Sequence, residues 1–169
     1  METGYRDLCS RCFNSEVTSD GGLAFEQFDF LPMEMSGSAG VKHTFHFRLL
    51  HLGDRMALEA FEVGDGDRAG YDFQILGDGE DDPFELMVQL VQRIRRALGQ
   101  RHLLDEGERC SIAGKVVRGK ISCDLESQDR APMLVIDGRE ISWDQFGQML
   151  MTFEGWQFKL EIKDPSEEV

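Results

Sequence analysis

From Val41 to His51 the side chains alternate along the chain. Val41, Phe45, Phe47 and Leu49, with His43 and His51 among them, face one way, and Lys42, Thr44, His46 and Arg48 face the other. A two-residue period is that of a half-buried strand, and no helix can keep those two sets apart. Gly53-Asp54 then supplies a tight turn, and Met56, Leu58 and Ala60 begin a return strand. The polar turn Gly64-Asp65-Gly66-Asp67 leads to a further strand at Tyr71, Phe73 and Ile75, and Phe30 to Met35 adds one before them, ending in Ser36-Gly37-Ser38. Together these segments predict an antiparallel meander with one apolar face to cover.

The cover follows directly. Asp82 is placed to cap a helix, Pro83 fits its first position, and Glu85 sits where a capping-box acid belongs. Met87, Leu90, Val91, Ile94, Ala97 and Leu98 form a stripe at helical spacing, Arg93, Arg95 and Arg96 lie near the negative end of the dipole, and Gly99 is a natural stop.

After a polar loop at Asp105 to Glu108 the pattern returns to strands. Val117, Gly119, Ile121, Cys123 and Leu125 alternate, and Leu134 to Ile136 and Arg139 to Ile141 are joined by Asp137-Gly138, a favoured two-residue hairpin turn. Ser142 caps a second helix, Gln145 completes the box, Ile141 is set to staple against Phe146, and Phe146, Met149, Leu150 and Phe153 make its stripe up to Gly155. Trp156, Phe158, Leu160 and Ile162 then alternate strictly with Gln157, Lys159, Glu161 and Lys163, which predicts a final strand buried on one face before a frayed tail from Asp164. The expected fold class is α+β: antiparallel sheets in meander and hairpin arrangement with two main helices packed on the sheet. One domain over residues 1–169 is expected, with sub-units at 1–104 (meander plus helix) and 107–163 (strand, hairpin, helix, strand).

Charge narrows the partners. With 32 acidic and 18 basic residues the net charge is −14, which repels nucleic-acid backbones and anionic membranes and steers basic proteins towards the surface. The same excess also serves solubility alone. The first residues contain no apolar core of a secretory signal, no stretch is long and apolar enough to span a bilayer, and four cysteines in 169 residues do not resemble a secreted disulfide scaffold. A cytoplasmic address is the expectation.

Chemistry concentrates at Cys9-Ser10-Arg11-Cys12. Two thiolates at this spacing make half of a tetrahedral zinc site, with His43, His102, Cys110 and Cys123 as candidates for the other two ligands. The histidines are favoured: His43 projects from the apolar face of its strand and needs a partner, and His102 lies just past a helix end, free to reach. Two alternatives stand beside zinc. Tyr5, Leu8, Cys9, Cys12 and Phe13 form a helical stripe in which the thiols are small core hydrophobes, and a redox dithiol is the third reading. Cys123, on the apolar face of its strand, is expected in the core. Asp78-Gly79-Glu80-Asp81-Asp82 lacks the order of a calcium loop, and no nucleophile elbow, phosphate loop or dinucleotide fingerprint is present.

Three stretches carry a family resemblance: Leu8 to Asn14 (LCSRCFN), His43 through Leu98, and Val135 to Ile162, whose VIDGREISWDQFGQMLMTFEGWQFKLEI is the most specific. On these residues the chain resembles a family of uncharacterised bacterial proteins, a domain of unknown function. The resemblance implies a bacterial cytoplasmic setting and carries no activity across.

The leading functional expectation is a non-catalytic binding or accessory module with one structural zinc, working through a protein partner or self-association. The alternatives are an acidic inhibitor or immunity-type protein for a basic partner, and an enzyme using Cys9 or Cys12 as nucleophile with His43 or His102 as base.

Overall fold

The computed structural model describes residues 9–21, 28–38, 40–64, 67–107, 109–123, 131–164 and 167. Its fold is α+β, with three helices and nine strands in three antiparallel sheets among those residues. Strands β1 (Met33–Ser36), β2 (Lys42–Leu52), β3 (Arg55–Gly64) and β4 (Asp67–Asp78) form a four-stranded meander in sequential order. The register sets Leu49 beside Leu58 and Leu58 beside Ile75, and likewise Phe47, Ala60 and Phe73 in a row. Cross-strand rows of this kind are the unit of sheet stabilisation.

A helix, α2 (Pro83–Leu98), lays its stripe on that face. Leu86, Leu90, Ile94 and Leu98 are buried in one cluster with Phe45, Leu49, Met56 and Leu58. The Asp82 carboxylate accepts from the Phe84 backbone N–H at 2.9 Å, and Pro83 occupies the first turn, as the sequence predicts. Gly99 caps the other end in a right-handed conformation, so the stop does not use glycine's access to positive φ.

An additional helix precedes the meander: α1 (Ser10–Gly21), of which the sequence offers only the short stripe around Cys9–Phe13. Tyr5 and Leu8 of that stripe lie outside the described residues, as do Asp65, Gly66, Glu108 and Leu125. The helix is pinned by Asn14, whose buried carboxamide donates to the Leu49 carbonyl and accepts from the His51 N–H, both at 2.9 Å. Strand β1 pairs with β2 only over Lys42–Phe45, so Asn14 satisfies backbone groups that β1 does not reach.

The C-terminal half is built of smaller pieces. Strands β5 (Leu103–Glu106) and β6 (Arg109–Ile112) form a hairpin where the sequence suggests a polar loop, because Gly107 at φ 68° lets the chain reverse. Strands β7 (Lys120–Cys123), β8 (Pro132–Ile136) and β9 (Arg139–Ser142) make a three-stranded sheet. Asp137 and Gly138, at φ 50° and 72°, form the predicted two-residue turn between β8 and β9. Helix α3 (Trp143–Leu150) starts on the predicted capping box: Ser142 Oγ accepts from the Gln145 N–H at 3.2 Å, and the Gln145 side chain accepts from the Ser142 N–H at 3.0 Å. Leu103, Ile136, Ile141 and Met149 are the buried residues of this half.

Two expectations about burial are corrected here. Cys123 is exposed, because all four residues of β7 are exposed and no second layer covers that strand among the described residues. Residues 156–162 are not a strand buried on one face: they have no ladder partner among the described residues, and every side chain in the run is exposed. The alternation is real, but among the described residues only Phe153 and Lys115 are seen against it, both at Trp156.

Candidate functional site

Cys9 immediately precedes the first turn of α1, and its carbonyl accepts from the Phe13 N–H, so the two cysteines sit one turn apart on the same side of the helix start. Their sulfurs are 3.2 Å apart, and the Cys12 backbone N–H donates to the Cys9 sulfur at 3.4 Å. That backbone donor, then the Cys12 thiol, holds the Cys9 thiol below its ordinary range, while sharing the hydrogen bond with Cys9 pushes Cys12 up. Both are exposed, so packing as core hydrophobes does not account for them. The arrangement offers a thiolate with a second thiol at contact distance, suited to soft-metal ligation or thiol exchange.

The two histidines expected to join them are engaged elsewhere. His43 Nδ1 lies 2.8 Å from Glu62 Oε1, giving the half-buried imidazole the partner its strand face demands. Glu62 Oε2 accepts from the Tyr71 N–H at 3.3 Å, and the Tyr71 ring stands edge-on to His43 at 5.4 Å. Burial, then the carboxylates of Asp137 and Glu62, pushes the Tyr71 hydroxyl up to about 12. His102 Nδ1 is 3.1 Å from the Val116 carbonyl. A carbonyl only accepts, so Nδ1 is the donor and Nε2 is not used in this bond. Among the described residues no group of three or more His, Cys, Asp and Glu side chains stands close enough to hold a metal ion. The structure thus brings Cys9 and Cys12 together, and places His43 and His102 in separate hydrogen-bonded settings.

Asp137, Tyr71 and Glu62 mark the seam between the halves, which the sequence reading does not single out. Asp137 Oδ2 accepts from the backbone N–H groups of His102 and Leu103, each at 2.7 Å, so the turn residue of the β8–β9 hairpin also anchors the start of β5. Gly138 packs against the Tyr71 ring so closely that an added Cβ would lie 2.9 Å from it. Lys120 forms an ion pair with Asp72 across the same seam. The Asp-Gly turn signal is the one local sign of this region, and it marks the turn without revealing the carboxylate's second task.

The third notable region is apolar. Trp156, Phe158, Leu160 and Ile162 are 60, 91, 72 and 69 % exposed, and Trp143, Leu150 and Met151 on and after α3 are exposed as well. Phe153 meets Trp156 edge-on at 5.5 Å, and Lys115 Nζ lies 5.3 Å over the Trp156 ring. These contacts hold the start of the segment and leave the rest uncovered. Large exposed apolar side chains concentrated in one stretch of chain are candidates for an interaction site.

Residues 26–99 match the family model described as Domain of unknown function (DUF7686), and residues 100–167 match the one described as Domain of unknown function (DUF7713). No curated protein and no solved structure matches the chain. The boundary falls at the end of α2, where the large meander gives way to the smaller sheets. Over residues 26–167 the chain is therefore similar to two adjoining domains of unknown function, DUF7686 followed by DUF7713.

Proposed function

We propose that the protein is a cytoplasmic, non-catalytic binding module that docks on a protein through the apolar surface of its C-terminal half. The observation that carries this reading is the exposed run Trp156, Phe158, Leu160 and Ile162. Four large apolar side chains at alternate positions, all exposed, are the pattern by which an extended segment docks on a partner. A net charge of −14 and the absence of any helix among the described residues that is long and apolar enough to cross a membrane agree with a protein partner rather than a phosphate backbone or bilayer core. A photo-crosslinking amino acid at position 158 tests the proposal in cells. A protein adduct at that position is expected, and a chain recovered without adduct would overturn it.

The dithiol supports a second reading, in which Cys9 and Cys12 hold a zinc ion together with His43 and His102. The 3.2 Å approach of the sulfurs supports it, and His102 bonds the Val116 carbonyl through Nδ1, leaving Nε2 out of that bond. Native mass spectrometry of the full chain is expected to show one zinc per chain, lost on Cys9→Ser, and a metal-free mass with free thiols would contradict it.

Both halves are proposed to fold as one domain over residues 1–169, supported by the Lys120–Asp72 pair and the Gly138–Tyr71 packing. A single calorimetric transition is the expected result, and two resolved transitions would divide the domain.

A further inference from the structure

The segment's own sequence points to a specific occupant, on the reading that this surface is a docking site. We propose that residues 156–162 are an interchain strand, in which two copies of this chain pair antiparallel about a two-fold axis through Leu160. Strands related by a two-fold axis must pair isologously, so one surface serves both copies. In antiparallel pairing, side chains directly opposite share a face, so a two-fold axis through Leu160 sets apolar against apolar over residues 158–162.

Electrostatics then favours the register at Leu160 over its two neighbours. With the axis at Leu160, Phe158 lies opposite the other copy's Ile162, and Lys159 lies opposite the other copy's Glu161, both pairs occurring twice. With the axis at Lys159 that ammonium faces itself. With the axis at Glu161 the carboxylate faces itself and Lys159 faces Lys163. Like charges directly opposite destabilise a ladder, and opposite charges support it. Within one chain the Lys159 and Glu161 side chains already lie on the same side at 3.6 Å, positioned for exchange between strands.

A two-stranded ribbon is marginal alone and needs its apolar face covered. The same half offers further exposed apolar side chains for such a cover in Trp143, Leu150 and Met151. Burying Phe158, Leu160 and Ile162 of both copies removes on the order of 1,000 Å² from water, near the lower bound of a specific interface. The buried cluster of this half contains only Leu103, Ile136, Ile141 and Met149 among the described residues, so the added layer completes a core that one copy leaves thin.

Light scattering on the full chain, from nanomolar to hundred-micromolar concentration, reads the association. The expected result is a dimer, converted to monomer by Leu160→Asp with the circular dichroism of the fold retained. Lys159→Glu and Glu161→Lys are each expected to weaken the dimer by about tenfold or more, since each turns both charged pairs repulsive. Mixing the two variants is expected to restore a dimer, because both carboxylates of the first variant then face both ammonium groups of the second. A wild-type chain that stays monomeric overturns the proposal. If its position-158 adduct is nonetheless a different protein, the docking reading survives without the second copy. A dimer indifferent to all three substitutions places the interface elsewhere and removes this segment from both accounts.

Discussion

Strand β2 and residues 156–162 carry nearly the same alternation, yet one is buried and the other is bare. In β2, Phe45 is fully buried and Leu49 nearly so, because β3 pairs along one edge, β1 and Asn14 share the other, and α2 closes the face. In the C-terminal segment Phe158 is almost wholly exposed, with no strand beside it and no helix above it among the described residues. The local pattern is a statement about which side chains share a face. Whether that face finds a cover depends on what else lies against it.

Substitutions sharpen this contrast. The largest effect is expected at Leu90→Ala, which empties a site at the centre of the α2–meander core and is predicted to cost about 3 kcal/mol in denaturant unfolding. Asn14→Ala should follow at about 2 kcal/mol, since it leaves the Leu49 carbonyl and His51 N–H without the buried carboxamide that bonds them. In the C-terminal half, Ser142→Ala removes the capping box of α3 and is expected to cost about 1 kcal/mol. Phe158→Ser should change the stability of the isolated chain by less than about 0.5 kcal/mol, as for an exposed position, while abolishing the position's role in association. If Phe158→Ser instead destabilises as much as Leu90→Ala at all concentrations, the contrast between the two segments collapses.

A pH titration separates the seam from both. The folded-state pKa of Tyr71 is raised to about 12 from the ordinary 10. Below pH 10 the phenol is neutral in folded and unfolded chains alike, and its contribution is fully present. As pH climbs from 10 to about 12 the unfolded chain ionises first, so stability falls across that window. The ring is only half-buried, which limits the loss to roughly 1–2 kcal/mol after allowance for solvent screening. Tyr71→Phe should flatten this part of the curve, measured as the denaturation midpoint against pH.

Much of the fold is legible from short-range signals. The Asp82-Pro83 start of α2, the Asp137-Gly138 turn and the Ser142/Gln145 box are local devices whose geometry is set within four residues, and each appears as its residues dictate. Helix α1 is weakly marked because the residue that docks it, Asn14, is polar and works through hydrogen bonds that no apolar stripe reveals. The β5–β6 hairpin is hidden by the polar residues Asp105 to Glu108, whose turn depends on Gly107 reaching positive φ. Cys9 and Cys12 are legible as a pair, since spacing alone brings them together at a helix start. The His43–Glu62–Tyr71 arrangement is not, because it joins β2, β3 and β4 and follows from strand register.

Hydrogen exchange of the backbone amides in residues 156–162, followed as a function of protein concentration, tests the central claim most directly. The account predicts free exchange in dilute solution and rising protection as copies associate, with α2 protected throughout. Protection of 156–162 that is already complete at the lowest concentration would contradict it, because the segment would then be buried by its own chain.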